Sequence, residues 1–235
     1  MTPQKNIQTE SDAVAQRYAR RTSVDNRYSF LRTDVCLGVQ ERQRVMLQLF
    51  RQHGVIDLAN LRLLEVGCGT GGNLLEFLRM GCAPQHMVGI ELLPDRFAHA
   101  RHALPTALRL HKGDALLADV PQASQDVVLA STVFSSVLDL DFQQKLAAAM
   151  WQWVRPGGSV LWYDFTYNNP RNPDVCGVPL RRVQELFPQG RITARRVTLA
   201  PPLARAVVRV HPALYGLFNS VPWLRTHILC WIEKT

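Results

Sequence analysis

The chain has 235 residues, a formal net charge of +8, 47% hydrophobic and 20% charged residues, a balance that suits one domain with a sizeable core and excludes a disordered chain. The first 30 residues are polar and charged and lack the apolar run of a signal peptide. No stretch reaches the roughly 18 apolar residues of a membrane span, so a transmembrane segment is excluded and the cytoplasm is the expected compartment.

Residues 1–38 read as an N-terminal arm or lid with some helical character, and 39–235 as a single domain. Helical periodicity predicts an amphipathic helix over Val39–His53, with Val45, Met46, Leu49 and Phe50 on one face. A strand over Leu61–Val66 runs into a turn, Gly67–Gly72, and a helix over Asn73–Met80. Met87–Glu91 reads as the second strand. Pro94 suits the first turn of the next helix, which runs to about Ala103. Ala107–His111 and Asp126–Ser131 are the third and fourth strands.

A strong helical stripe, Phe142, Leu146, Ala149, Met150 and Trp153, marks a helix over Asp141–Val154. Arg155-Pro156-Gly157-Gly158 reads as its stop and turn, and Ser159–Phe165 as the fifth strand. A loop rich in Asn, Pro and Arg follows to Val178. Then come a helix near Leu180–Phe187, a strand near Arg191–Leu199, a helical insertion over Pro202–Leu224 and a last strand over His227–Glu233. Strands alternating with helices predict an α/β fold around a mainly parallel sheet.

The five cysteines are odd in number and widely spread, which favours free thiols over disulfides or a zinc site. His99 and His102 have a metal-compatible spacing on a helix but no evident third ligand, so no metal is expected. Between Arg171 and Arg209 there are eight arginines against Asp174 and Glu185, a local balance of +6. Such a field attracts anionic partners, and a solvated surface explains it equally well.

The most informative stretch is Glu65-Val66-Gly67-Cys68-Gly69-Thr70-Gly71-Gly72, an apolar strand entering glycines and then a helix. Glycines there allow a tight turn and a close ligand, at the carboxyl end of a parallel strand where doubly wound sheets bind ligands. Gly67, Gly69 and Gly72 satisfy the dinucleotide spacing G-x-G-x-x-G. Gly67, Gly69 and Gly71 give G-x-G-x-G with Glu65 two residues ahead. A carboxylate at Glu65 would repel a pyrophosphate at low dielectric and suits the ammonium of an amino acid.

Glu65–Gly71 resembles motif I of class I S-adenosylmethionine-dependent methyltransferases. Val88-Gly89-Ile90-Glu91 resembles the second-strand motif whose acid holds the ribose hydroxyls, with Leu92 beside it. Gly113-Asp114-Ala115 resembles the adenine-contacting motif. Asp126–Ser131 and Arg155-Pro156-Gly157-Gly158 resemble the fourth strand and the turn before the fifth. The resemblance covers about Arg44 to Asp164. It implies a Rossmann-like, doubly wound, seven-stranded sheet, mostly parallel with an antiparallel last strand, and S-adenosyl-L-methionine as cofactor. The implied cofactor residues are Glu65, Gly67, Gly69, Gly71, Glu91, Leu92, Asp114, Ala115 and Ser131. In this family an N-terminal aromatic and a basic residue often close over the methionine end, and Tyr18, Arg21 and Tyr28 are the candidates here.

Methyl transfer from a sulfonium requires alignment rather than a protein nucleophile. Tyr163, Asp164, Tyr167, Asn168 and Arg171 follow or end the fifth strand, at the edge that faces an acceptor pocket. Their expected role is to hydrogen-bond the acceptor, with Arg171 holding an anionic group. A rigid Asn/Pro turn is the alternative. This stretch, with Leu224-Arg225-Thr226-His227, resembles bacterial methyltransferases associated with glycan or secondary-metabolite pathways.

The expected reaction is methylation of an oxygen or nitrogen atom of a small acceptor, with anionic and glycan-type acceptors both open. Nucleic acid is not expected as a partner: Ser131-Thr132-Val133-Phe134 stands where DNA amino-methyltransferases carry an Asn/Asp-Pro-Pro-aromatic motif. A nicotinamide-dependent oxidoreductase and a non-catalytic S-adenosylmethionine-binding module are the rival functions. The apolar stretch Leu203–Leu224 leaves peripheral membrane contact, a pocket cover and a dimer contact open, and a monomer and a homodimer are both compatible.

Overall fold

The computed structural model describes residues 9–20, 29–170 and 172–235. Arg21, Tyr28 and the side chain of Arg171 therefore lie outside the described residues. A seven-stranded sheet runs in the order β3-β2-β1-β4-β5-β7-β6. Its strands are β1 (Leu63–Val66), β2 (Met87–Glu91), β3 (Arg109–Lys112), β4 (Gln125–Ser131), β5 (Val154–Phe165), β6 (Arg191–Leu199) and β7 (Arg225–Glu233). The pairs β1–β2, β1–β4, β2–β3 and β4–β5 are parallel, whereas β7 runs antiparallel to both β5 and β6. This is the doubly wound sheet with an antiparallel last strand.

The side-chain period of two sorts β5 into both cores. Val160 and Trp162 join one hydrophobic cluster, with Leu146 and Met150 of α5 (Leu140–Trp153) and Val183 and Leu186 of α6 (Leu180–Leu186). Leu161 and Tyr163 join the other. There they meet Met46, Leu49 and Phe50 of α2 (Thr33–Gln52), Leu74 and Phe77 of α3 (Gly72–Arg79) and Ala100 of α4 (Pro94–Ala103). Each large side chain so buried contributes about 1.5–3 kcal/mol. Trp162 and Phe50, both fully buried, anchor the two sides.

Several boundaries differ from the sequence-based expectation by one or two residues, as at β1, β3 and β7, and three differences are larger. Helix α2 begins at Thr33, six residues ahead of Val39, because the residues before Val39 pack too: Leu37 meets a third cluster of Leu199, Ala204, Val207 and Tyr215. Arg155–Gly158 is no free turn but a bulged start of β5. The β4–β5 register shifts between Gln125 and Val127, Gly157 takes a left-handed φ of 74°, and Gly157 and Gly158 exchange backbone hydrogen bonds with Lys234. The helical insertion is two helices, α7 (Pro201–Val210) and α8 (Ala213–Asn219), followed by a single turn at Pro222–Leu224. Pro212 lacks the N–H that would continue α7.

An N-terminal helix, α1 (Glu10–Ala19), opens with a capping box between Thr9 and Asp12. It crosses the carboxyl edge of the sheet. Ser11 donates to Asp114 Oδ2 at 2.6 Å, beyond β3, and Arg17 donates to the Ser136 carbonyl at 3.0 Å, beyond β4.

Candidate functional site

The strand–glycine–helix junction has a distinct job for each glycine. Gly67, Gly69 and Gly71 all adopt left-handed φ values, +63°, +59° and +88°. A Cβ on Gly67 would come within 2.9 Å of Val133 Cγ2, and one on Gly71 within 2.8 Å of Leu104 Cδ1. A Cβ on Gly69 would reach only Arg96 Nη1, at 4.0 Å. A side chain at 67 or 71 would thus have to displace Val133 or Leu104, while 69 faces open space above the loop.

Under this loop lies Glu65, buried in β1. Asn73 Nδ2 donates to its Oε1 at 2.6 Å, and its Oε2 has no hydrogen-bond partner among the described residues. Desolvation pushes the Glu65 carboxyl up to about 8, with the Asn73 hydrogen bond and Arg42 acting the other way. A buried carboxylate oxygen left unpaired is costly, so this atom is prepared for a donor that arrives from outside. Asn73 Oδ1 accepts from Arg42 Nη2 at 3.0 Å, and Arg42 also meets Glu76 Oε2 at 3.4 Å. The chain Glu65–Asn73–Arg42–Glu76 thus joins β1, α3 and α2.

Glu91, buried at the end of β2, accepts from Gly69 N–H and from Leu93 N–H, both at 2.7 Å. The carboxylate ties the loop to β2 and keeps further lone pairs. Leu92 follows it, half-buried. Asp114 caps the turn Ala115–Leu117 through Leu116 N–H and accepts from Ser11 of α1. Tyr18 lies on α1 with the Arg96 guanidinium 4.4 Å from its ring centre, and its hydroxyl lies 3.1 Å from Ser136 Oγ. Helix α1 and Arg96 thus close over the glycine loop.

Farther along the same edge, Tyr163 is a hub. Its carbonyl accepts from Thr132 N–H at 2.7 Å and its hydroxyl lies 2.9 Å from Thr198 Oγ1. Thr132 and Thr198 both hold positive φ, 55° and 64°, a rare state for a β-branched residue. Thr198 N–H is fixed by Glu41 Oε2 at 3.0 Å. Strain of this kind clusters where a site must be held rigid. The His227 ring stacks on Tyr163, and the Arg42 guanidinium lies 4.9 Å from its centre. Burial holds His227 down to about 4. Ser131, Tyr163, Arg42, Met46, Phe77 and Leu129 line a narrow cleft here with room for about one water.

Residues 63–158 match the family model of the methyltransferase domain. Residues 63–158 thus belong to a methyltransferase domain. The chain is 31% identical to a demethylmenaquinone methyltransferase of Deinococcus radiodurans, over 69% of this chain and 64% of that protein. It is 30% identical to a fatty-acid O-methyltransferase of Mycolicibacterium smegmatis, over 67% and 60%. The matches thus span less than two thirds of these curated relatives. A solved geranyl diphosphate C-methyltransferase of Streptomyces coelicolor superposes with a TM-score of 0.66, covering 96% of this chain and 98% of that one at 13% identity, a likeness of fold.

S-adenosylmethionine, the cofactor of that class, fits the methyltransferase domain on three observations: the unpaired Glu65 oxygen, the open face of Gly69, and the Glu91 carboxylate beside it. Glu65 would take the ammonium, Glu91 the ribose hydroxyls, and Asp114 and Ala115 the adenine.

The fifth-strand candidates do not converge. Tyr163 faces the α2–α3 side, whereas Asp164 faces the other, buried, accepting from Ser135 N–H at 3.0 Å and from Phe165 N–H at 2.9 Å. Desolvation pushes Asp164 up to about 7. Tyr167 is exposed and accepts from Arg196 Nη1. Asn168 Oδ1 closes its own loop, accepting from Gly177 N–H at 2.8 Å. No group of three or more metal-ligating side chains occurs among the described residues, His99 and His102 included. In the loop, burial pushes the Cys68 thiol up, in keeping with a packing role. The arginine lining the cleft is Arg42 rather than any described member of the Arg171–Arg209 stretch. Several of those bind surface acids instead, as Arg191 does Glu233 and Arg182 does Glu185.

Proposed function

We propose that this chain is an S-adenosylmethionine-dependent methyltransferase acting on a small acceptor, and that the methylated atom is an acidic oxygen on a lipophilic body. The observation that carries the first part is the buried, unpaired Glu65 Oε2 beneath the open face of Gly69. When bound, the cofactor supplies an electrophilic methyl on a sulfonium. The protein's own residues do the rest. Glu65 and Glu91 orient the donor from two sides, and Asn73 holds Glu65 in place. We read helix α1 of the N-terminal arm as a lid over the domain that begins with α2, excluding water from the donor. A water-poor site strengthens every electrostatic contact inside it.

The acceptor class follows from the groups around the narrow cleft, which must widen to admit an acceptor, and from its bases. Met46, Phe77, Leu129 and Leu229 give it an apolar wall, with Arg42, Asn73, Glu76, Ser131 and Tyr163 as polar points. His227, held near 4, is a weak base at neutral pH, and Asp164 faces the opposite core. A carboxylic acid or phenol, which loses its proton readily, therefore suits this site better than an aliphatic alcohol or amine. Arg42, which already meets Asn73 and Glu76, is the cation of this cleft. The names of the two curated relatives, one acting on a fatty acid and one on demethylmenaquinone, support a lipophilic body over a glycan.

The test is transfer of tritiated methyl from S-adenosylmethionine to a long-chain fatty acid, a lipid-linked hydroquinone and an anionic sugar. Label is expected in the organic extract as an ester or aryl ether. Label confined to the sugar would remove the lipophilic reading.

A further inference from the structure

The helical insertion leaves several large apolar side chains uncovered. Helix α7 buries Ala204 and Val207 against Leu199 and Tyr215. Its far end and the segment after it turn outward. Val210 is 78% exposed, Leu217 65% and Trp223 85%, and Val221 and Pro222 are exposed beside them. Exposed apolar side chains gathered in one short segment mark an interaction surface rather than the scatter found on any protein.

The charge around this face selects the partner. No Asp or Glu occurs between Glu185 and Glu233, while Arg191, Arg195, Arg196, Arg205, Arg209 and Arg225 all lie in that interval. From His211 to Leu224 the chain has no carboxylate and no Lys or Arg. An apolar segment that follows Arg205 and Arg209 and carries no carboxylate of its own complements an anionic bilayer, where the side chains enter the acyl boundary and the guanidinium groups meet phosphates. The position agrees. Helices α7 and α8 leave the end of β6 and return to the start of β7, the sheet edge that carries Thr198, His227 and Tyr163.

We propose that α7, α8 and the Pro222–Leu224 turn form a docking surface for an anionic lipid membrane, with Leu217, Val221 and Trp223 as the inserting side chains and Arg205 and Arg209 as phosphate contacts. This surface serves the lipophilic acceptor proposed above but is tested without it. The other tryptophans, Trp151, Trp153, Trp162 and Trp231, are buried or half-buried, so Trp223 reports on this face.

The experiment is co-sedimentation of the full chain with vesicles of phosphatidylglycerol and phosphatidylcholine, and with pure phosphatidylcholine, together with tryptophan emission and quenching by lipids brominated on the acyl chain. Binding to the anionic vesicles, weakened by salt, is expected, with blue-shifted and quenched emission. The triple variant Leu217→Ser, Val221→Ser, Trp223→Ser should lower partitioning by about tenfold or more. Arg205→Glu with Arg209→Glu should abolish the preference for anionic lipid. Both variants should keep their circular dichroism and their binding of S-adenosylhomocysteine. Unchanged partitioning of the triple variant, or absence of binding to anionic vesicles, would overturn the proposal. So would a blue shift that tracks protein concentration without vesicles, which assigns the face to a second copy of the chain. Loss of S-adenosylhomocysteine binding in the wild-type chain would count against the methyltransferase reading and leave the membrane result standing.

Discussion

Asn73 and Glu65 share one 2.6 Å hydrogen bond, from amide to carboxylate, that satisfies Oε1 and leaves Oε2 without a partner among the described residues. A site built this way is stable empty only if the carboxyl is largely protonated, and it gains most when a cation arrives.

Cofactor binding should therefore release a proton. Glu65 is raised to about 8 when the loop is empty, and an ammonium beside it would ionise it. Calorimetric enthalpy of S-adenosylhomocysteine binding at pH 7 should depend on the buffer's ionisation enthalpy, and affinity should rise with pH up to about 8. Glu65→Gln keeps the neutral shape and should weaken binding about tenfold or more, the value of a charge-assisted hydrogen bond.

The same shift sets a pH dependence of stability. The folded-state values of Glu65, about 8, and Asp164, about 7, lie above their ordinary 4.5 and 3.8. Between those limits the folded chain binds more protons than the unfolded one, so stability falls as pH rises. Urea denaturation without cofactor should show a lower midpoint at pH 8.5 than at pH 5.5. Asp164→Asn should flatten part of that slope. Asp164→Ala leaves Ser135 N–H unpaired and should cost about 1–3 kcal/mol.

Gly69 and Gly71 should separate in their effects. Alanine at either pays the left-handed strain of about 1–2 kcal/mol. Gly71→Ala adds the collision with Leu104 and should lose markedly more stability. Gly69→Ala meets open space and should fold, while losing affinity for S-adenosylhomocysteine. Denaturation midpoints and dissociation constants of the two variants check this.

Thr198 tests the strained frame around Tyr163. Thr198→Gly removes the left-handed strain and also the hydroxyl that bonds Tyr163. The two effects oppose each other, so stability should change by less than about 1 kcal/mol. Transfer activity should fall, because the Tyr163 hydroxyl is released. Steady-state kinetics beside urea denaturation distinguishes the two.

The sheet was legible because its strands announce themselves locally. Met87–Glu91 and Arg191–Leu199 match the apolar pattern and its borders residue for residue. The glycine loop was legible for the same reason, since Glu65, Gly67, Gly69 and Gly71 lie within seven residues. Arg42 and Asn73 were not, although Asn73 follows the glycines directly. Arg42 reaches Asn73 across 31 positions and joins through the packing of α2 on α3, which no spacing rule encodes. Asp164 misled for a simpler reason: adjacent residues on a strand face opposite ways, so Tyr163 and Asp164 cannot line one pocket. The positive φ of Thr132 and Thr198 has no signature in residues that normally avoid it.

The most direct test of the donor site is paired calorimetry of the purified chain with S-adenosylhomocysteine and with NAD. A saturating one-site titration with S-adenosylhomocysteine, weakened about tenfold or more in Glu65→Gln, and no heat with NAD are expected. Silence with S-adenosylhomocysteine alongside a clear titration with NAD would contradict the assignment of Glu65 as the ammonium's partner.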